Sequence, residues 1–220
     1  MKIPIKITPE LAEETGWHIG DGSMNYYNHV NGKKRGFYQL RGHHTNDKQH
    51  YIQRIKPIFK QLYDYSISLR DMPSTRVFGF QIWSNELVNF KQRLGLCLGK
   101  KWSVVIPEVF LESDELKAAV LRGIFDTDGC LYLQPKYGKL YPIVDIKTIS
   151  PLLAEQMCIS FRELGLRSTK ASFLVKKGRR KRYYVVNIRG CDMIHKFIKI
   201  IKPQNPKHIA KYNFFCSKRL

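Results

Sequence analysis

Acidic residues are scarce in this sequence: 18 Asp and Glu stand against 38 Lys and Arg, a formal charge of +20. That excess goes far beyond what solubility needs and implies a polyanionic partner, nucleic acid foremost. Long apolar runs are missing too. Met1 to Glu10 contain no signal-peptide stretch, so secretion is not expected. An anionic membrane is disfavoured as the partner, because neither a spanning segment nor a basic amphipathic tail is present. The cysteines Cys97, Cys130, Cys158, Cys191 and Cys216 are widely separated, with no C-x-x-C pair. This excludes a zinc ribbon and a disulfide framework, and points to a reducing compartment: cytoplasm, nucleoid or organelle. Low-complexity tracts are also lacking, and a hydrophobic content of 43% is enough for a sizeable core.

What the chain does have is one pattern twice. Ala12, Gly16, Gly20, Asp21 and Gly22 are matched 107 positions later by Ala119, Gly123, Thr127, Asp128 and Gly129. Residues four apart stack on one helix face, so each copy is a smooth stripe ending in a carboxylate. Two such stripes can pack closely, with Ala12, Gly16, Gly20, Ala119, Gly123 and Thr127 as the interface. That packing brings Asp21 and Asp128 together at one end.

The text around the repeats reads as two α-β-β-α-β-β-α units: residues 1–98, a linker at 99–112, and residues 113–220. In the first, Thr8 and Pro9 open a helix to about Gly20. Strands follow at Met24–Val30 and Arg35–His43 around an Asn31-Gly32 turn. A helix Asn46–Tyr63, strands Tyr65–Arg70 and Arg76–Trp83, and a helix Asn85–Leu96 complete it. In the second, Ser113 caps a helix to Phe125. Strands Cys130–Pro135 and Leu140–Thr148, a helix Pro151–Leu164, strands Thr169–Lys176 and Arg182–Arg189, and a helix Asp192–Ile201 follow. Pro206–Phe215 adds a short helix. Phe59, Phe90, Phe161 and Phe197 lie on helices and read as core.

Strand parity separates a core face from a polar one. In the first half Arg35, Gln39, Arg41 and His43 oppose Tyr38 and Leu40, with Asn25, Tyr27, Arg70 and Gln81 as further candidates. In the second, Tyr132, Gln134 and Lys136 oppose Leu131 and Leu133. Tyr141, Asp145 and Lys147 oppose Val144 and Ile146. Lys170, Ser172 and Lys176 oppose Ala171 and Phe173, and Asn187 and Arg189 join the set. A half-polar sheet this basic suits contact with bases and phosphates. The run Lys176 to Arg182, including Arg180 and Lys181, reads as a hairpin tip tracking phosphates.

Leu121-Arg122-Gly123-Ile124-Phe125-Asp126-Thr127-Asp128-Gly129 resembles the LAGLIDADG motif of homing endonucleases, and Glu14 to Gly22 resembles a divergent copy in register. The resemblance implies an α+β fold: two pseudo-symmetric αββαββα units forming a DNA-binding saddle of antiparallel sheets, with the motif helices at its centre. It implies a monomer acting as a pseudo-dimer on double-stranded DNA. Each strand of a long target would be cut once, giving a staggered break that supports intron mobility. It also implies Asp21 and Asp128, just past their helix ends, as catalytic metal ligands. The carbonyls of Gly20 and Thr127 would assist, and Mg²⁺ or Mn²⁺ would be the cofactor. Lys147 matches a basic position of the family, whereas the first half offers His43, His44 or Lys48 for its counterpart. Two departures stand out: Glu14 replaces an apolar residue, and Ile19 replaces the earlier acid that Asp126 keeps.

Simpler accounts stand beside these. A single Asp-Gly after a helix is ordinarily a turn, its glycine supplying positive φ. Asp126 to Gly129 lacks the downstream ligands of a calcium loop. His43-His44 lacks a ligand-spaced partner. A maturase acting on intron RNA and a non-cleaving DNA-binding protein share the same expected fold. An intein origin is not expected, since no splicing domains flank the nuclease-like region.

Overall fold

Two similar helix starts organise the chain. Thr8 Oγ1 accepts from the Leu11 amide at 3.2 Å, and with Pro9 at the first position it opens α1, Pro9–Asp21. Ser113 does the same for Leu116 at 3.3 Å and opens α5, Asp114–Asp128. The computed structural model describes residues 1–28, 32–174 and 182–218.

The remaining elements of the first half are β1 (Gly22–Asn28), β2 (Lys34–His43), α2 (Lys48–His50) running through a π-helical stretch Tyr51–Ile55 into α3 (Lys56–Tyr63), β3 (Arg70–Met72), β4 (Val77–Trp83) and α4 (Asn85–Arg93). After α5 come β5 (Gly129–Lys136), β6 (Lys139–Thr148), α6 (Pro151–Glu163), β7 (Ser168–Leu174), β8 (Arg182–Arg189), α7 (Cys191–Ile201) and α8 (Pro206–Ser217). Each half forms an antiparallel four-stranded sheet, ordered β1-β2-β4-β3 and β5-β6-β8-β7. The architecture is α+β, two pseudo-symmetric units about the pair α1 and α5.

Several local expectations shift. The helix expected over 46–63 contains a π turn, because Pro57 has no N–H for the carbonyl four residues back and its ring crowds that turn. Of the strand expected at Tyr65–Arg70, only Arg70 pairs, since β3 is a three-residue edge strand. Asp21 and Asp128 are the last residues of their helices rather than lying beyond them. The glycines that follow have φ of −82° and −81°, so they do not supply a left-handed turn. They are glycine because a Cβ at Gly22 would fall 2.6 Å from His18 Cα, and one at Gly129 would strike the Phe125 ring and carbonyl. Phe59, Phe90, Phe161 and Phe197 are buried, as their helix positions imply.

The helix pair is packed backbone to backbone. A Cβ on Gly16 would lie 2.8 Å from Gly123 Cα, and one on Gly123 would lie 2.9 Å from Gly16 Cα. Ala12 and Ala119 continue the buried stripe. Charged groups also sit inside, each with partners. Glu13 Oε2 lies 2.7 Å from Arg54 Nη2 and 2.8 Å from Arg122 Nη2, tying the first unit to α5. Glu14 accepts from the hydroxyls of Tyr38 and Tyr63 at 3.1 Å each and pairs with Lys91. The acid at an otherwise apolar motif position is thus the centre of a buried polar cluster. Asp126 accepts from the amides of Gln204 (2.9 Å) and Asn205 (3.2 Å), which holds the turn before α8. Ile19, its first-half counterpart, is simply core.

The stretch read as a linker is ordered packing. It contains short 3₁₀ turns at Lys101–Ser103 and Glu108–Leu111 and buries Val104, Ile106 and Phe110. Gln156 brackets Ile106, accepting from its amide at 2.7 Å and donating to its carbonyl at 3.0 Å. Among the described residues no helix is long and apolar enough to cross a membrane.

Candidate active site and nucleic-acid interface

Because α1 and α5 touch along their glycines, their C-terminal acids are brought together. A Cβ on Gly20 would lie 2.8 Å from Thr127 Cβ and 3.5 Å from Asp128 Cγ, so the two helix ends meet at these residues. Thr127 turns its hydroxyl back onto the carbonyls of Gly123 (2.9 Å) and Ile124 (3.1 Å). Asp21 is partly exposed and Asp128 reaches solvent. Protein nevertheless surrounds both carboxyls closely enough to change their chemistry. Desolvation, then the charge of Asp128, then that of Asp47 push Asp21 up to about 7. Desolvation also raises Asp128, against the opposing charges of Lys101 and Lys207.

Two groups in this site have no periodic signal in the sequence. Tyr51, on the π turn, donates its hydroxyl to Asp21 Oδ2 at 3.2 Å. Burial and the Asp21 charge hold that phenol well above its ordinary pKa, so it stays a donor. Lys101, from the connecting stretch, donates to the carbonyls of Ile19 (2.8 Å) and Gly20. Burial lowers its pKa, while Asp128 and Asp21 hold it up. Lys101, Asp128 and the exposed Lys147 line one cleft of about 430 Å³ with Ile19, Thr148 and Tyr183.

Strand register identifies the first-half counterpart of Lys147. Gly22 pairs with Leu40 and Gly129 with Ile146, so Lys147 corresponds to Arg41. By the same rule Gln39 and Gln81 correspond to Asp145 and Asn187. His43, His44 and Lys48 are differently engaged. His43 Nδ1 accepts from the amides of Thr45 (3.2 Å) and Asn46 (3.3 Å). His44 and Lys48 lie 4.0 Å and 3.0 Å from Asp71.

The sheet faces opposite the helices are polar over much of their area. In the first unit Asn25, Tyr27, Arg35, Gln39, Arg41, His43, Arg70 and Gln81 share one face by register. Phe37 and Trp83 lie on that face too, their centroids 4.8 Å apart, with the Arg35 guanidinium 5.5 Å above the Trp83 ring. Their parity with Gln39 and Gln81 was the available sequence signal. In the second unit Tyr132, Gln134, Lys136, Tyr141, Asp145, Lys147, Asn187 and Arg189 share the equivalent face. Tyr132 donates to Asp145 Oδ2 at 3.1 Å.

The strand β7 corrects the parity reading. Lys170 pairs with Val186 and Ser172 with Tyr184, which puts both on the helix side. Lys170 there pairs with Glu155 of α6, and Arg182 Nη1 lies 3.5 Å from Ser172 Oγ on the same side. Ala171 and the half-exposed Phe173 face the groove side instead, Phe173 stacked on Tyr183 at 5.4 Å. Beyond Ser168 this strand has no buried residue on either face, so polar-out alternation loses its meaning there. Lys176, Arg180 and Lys181 fall in 175–181, outside the described residues.

A family model for a LAGLIDADG-like domain matches residues 115–202. Residues 115–202 are thus a LAGLIDADG-like domain. The homing endonuclease I-DmoI, solved with DNA and Ca, matches it with a TM-score of 0.66 at 19% identity, over 93% of this chain and 97% of that one. The LAGLIDADG meganuclease I-AabMI, bound to uncleaved DNA, matches with a TM-score of 0.59 at 12% identity, over 96% and 90%. Among curated proteins of Methanocaldococcus jannaschii, the replication factor C small subunit is 28% identical over 90% of this chain and 10% of its own length. A DNA polymerase of that organism is 30% identical over 51% of this chain and 6% of its own length. The chain thus spans a tenth or less of the curated relatives it matches.

The two helix ends offer hard oxygen donors, suited to a divalent cation such as Mg²⁺. Among the described residues no three His, Cys, Asp or Glu side chains are placed to hold a metal ion by themselves. A metal held here would therefore draw on two carboxylates, main-chain carbonyls and oxygens from a substrate. Two crowded carboxyls with raised pKa values are themselves a reason for a cation to bind.

Proposed function

We propose that this protein is a site-specific DNA endonuclease, hydrolysing one phosphodiester in each strand of a long duplex target. The observation that carries the reading is the meeting of Asp21 and Asp128 at the ends of two backbone-packed helices, between two basic sheet faces. In this reading Asp21, Asp128 and the carbonyls of Gly20 and Thr127 hold the metal. A bound divalent ion would activate the attacking water and stabilise charge on the phosphate and the leaving oxygen. Lys147 and Arg41 stand at corresponding strand positions and contact the phosphate of either strand. The sheet-face side chains fix register and read bases, phosphates supplying most of the salt-sensitive affinity. The solved neighbours that carry DNA support this reading, and cleavage at a break that feeds mobility of the encoding element is its biological extension.

Incubating the protein with a randomised duplex library and Mg²⁺ is expected to enrich one long sequence cut on both strands, with no cutting in EDTA. Unselective degradation, or enrichment by binding without cutting, would remove the endonuclease reading. A pH series gives a second expected result. A protonated Asp21 cannot ligate metal, so affinity rises as pH approaches the carboxyl's value of about 7 and levels off above it. Below that point one linked proton costs about tenfold in affinity per pH unit. Calorimetric titration with Ca²⁺ between pH 5 and 9 measures it, and a flat profile would contradict the assignment of Asp21.

A further inference from the structure

Lys101 enters the site from a rigid support. Its 3₁₀ turn leads into buried Val104, whose carbonyl accepts from Ser150 Oγ at 2.7 Å, and then into Ile106, bracketed by Gln156. The ammonium donates to the carbonyls of Ile19 and Gly20 in the last turn of α1. A cation at a helix C-terminus is ordinary capping. The Gly22 amide takes only the His18 carbonyl, which leaves those of Ile19 and Gly20 to the ammonium. The ammonium also feels Asp128 and Asp21, the two charges that offset the cost of its burial. The second half differs. Lys207 approaches from the chain after its last sheet helix, but its ammonium is taken by Asp47 Oδ1 at 2.7 Å rather than by a motif carbonyl.

We propose that Lys101 is a resident counter-ion of this site, holding the Gly20 carbonyl and balancing Asp21 and Asp128, and that it must leave that carbonyl before a divalent cation can use it as a ligand. The proposal rests on the metal reading of the helix ends. It makes the two halves unequal: metal association through Gly20 competes with a tethered ammonium, whereas among the described residues no ammonium donates to the Thr127 carbonyl. An ammonium and a divalent ion share the same requirement, oxygen donors around concentrated positive charge. Lys101 therefore stands in the place of the cation at the Gly20 carbonyl until the exchange.

The test is metal binding by the full chain, followed by Tb³⁺ luminescence and Ca²⁺ calorimetry, together with thermal unfolding in EDTA. Lys101→Met is expected to bind Tb³⁺ about tenfold more tightly, a typical coupling between two sites. It is also expected to unfold at lower temperature in EDTA and to recover most of that loss with Ca²⁺. Should that variant fail to fold, Lys101→Gln, which still donates to the carbonyl without charge, reads the same affinity. Equal or weaker Tb³⁺ binding by the neutral variant would overturn the proposal and leave Lys101 a helix cap or a helper of the metal. Tb³⁺ binding indifferent to Asp21→Asn and Asp128→Asn would instead overturn the metal reading, and the proposal with it.

Discussion

Asp128→Asn is expected to keep duplex binding within about twofold and to lower cleavage of one strand by roughly a thousandfold, the order of effect attached to charge stabilisation of a transition state. Asp21→Asn is expected to do the same to the opposite strand. The amide preserves shape but removes a metal-ligating negative charge, so the loss belongs to chemistry rather than recognition. Stability supplies the internal control. Each carboxyl is raised by burial, and Asp21 by its neighbour's charge as well. Neutralising either one relieves repulsion, so the unfolding midpoint should stay level or rise. Strand-resolved cleavage of an end-labelled target, with thermal unfolding of the same samples, measures both. Normal cutting of both strands by either variant would sink the two-acid mechanism, and a collapsed midpoint would transfer the effect to folding.

Gly123→Ala has the second largest expected effect. The added methyl would lie 2.9 Å from Gly16 Cα and closer still to the Glu13 carbonyl, both backbone atoms that cannot rotate away. Overpacking typically costs about 1–3 kcal/mol, and more where the backbone itself must yield. The gain of about 1 kcal/mol in helix propensity offsets part of this. We expect a net loss of about 2 kcal/mol or more, out of a total stability on the order of 5–15 kcal/mol. Because Asp21 and Asp128 ride on these helices, a shift of about 1 Å should also lower cleavage by about a hundredfold. Gly16→Ala added to it should cost less than the sum, since one opened gap relieves both contacts. Urea unfolding of the three variants decides the matter: full additivity would show that the glycines do not share one interface.

Both predictions start from residues that stand out along the chain itself. The repeat of small residues ending in an acid marks two matched helices because four-residue spacing is a local, periodic signal. Thr8 and Ser113 mark the starts of those helices for the same reason. Period-two alternation separates the two sheet faces on β2, β5 and β6, where one side is buried under helices. It fails on β7, where Lys170 and Ser172 lie on the helix side and Phe173 on the other. Past Ser168, β7 buries no residue on either side, so nothing enforces the rule there.

The sequence by itself therefore determined the two-unit plan, the helix pair and the two acids, since each is written in spacing along a single segment. Tertiary structure alone decided what surrounds those acids. Tyr51 reaches Asp21 from a π turn 30 residues away, and Lys101 reaches Gly20 from 81 residues away. Arg41 became the counterpart of Lys147 only through strand register, and Asn205 Nδ2 joins Asp47 to the Asp126 carbonyl, at 2.9 Å and 2.8 Å, only because the turn before α8 reaches both units. Convergence of single residues from distant segments leaves no period to read; it is set by how the packed elements bring their ends together.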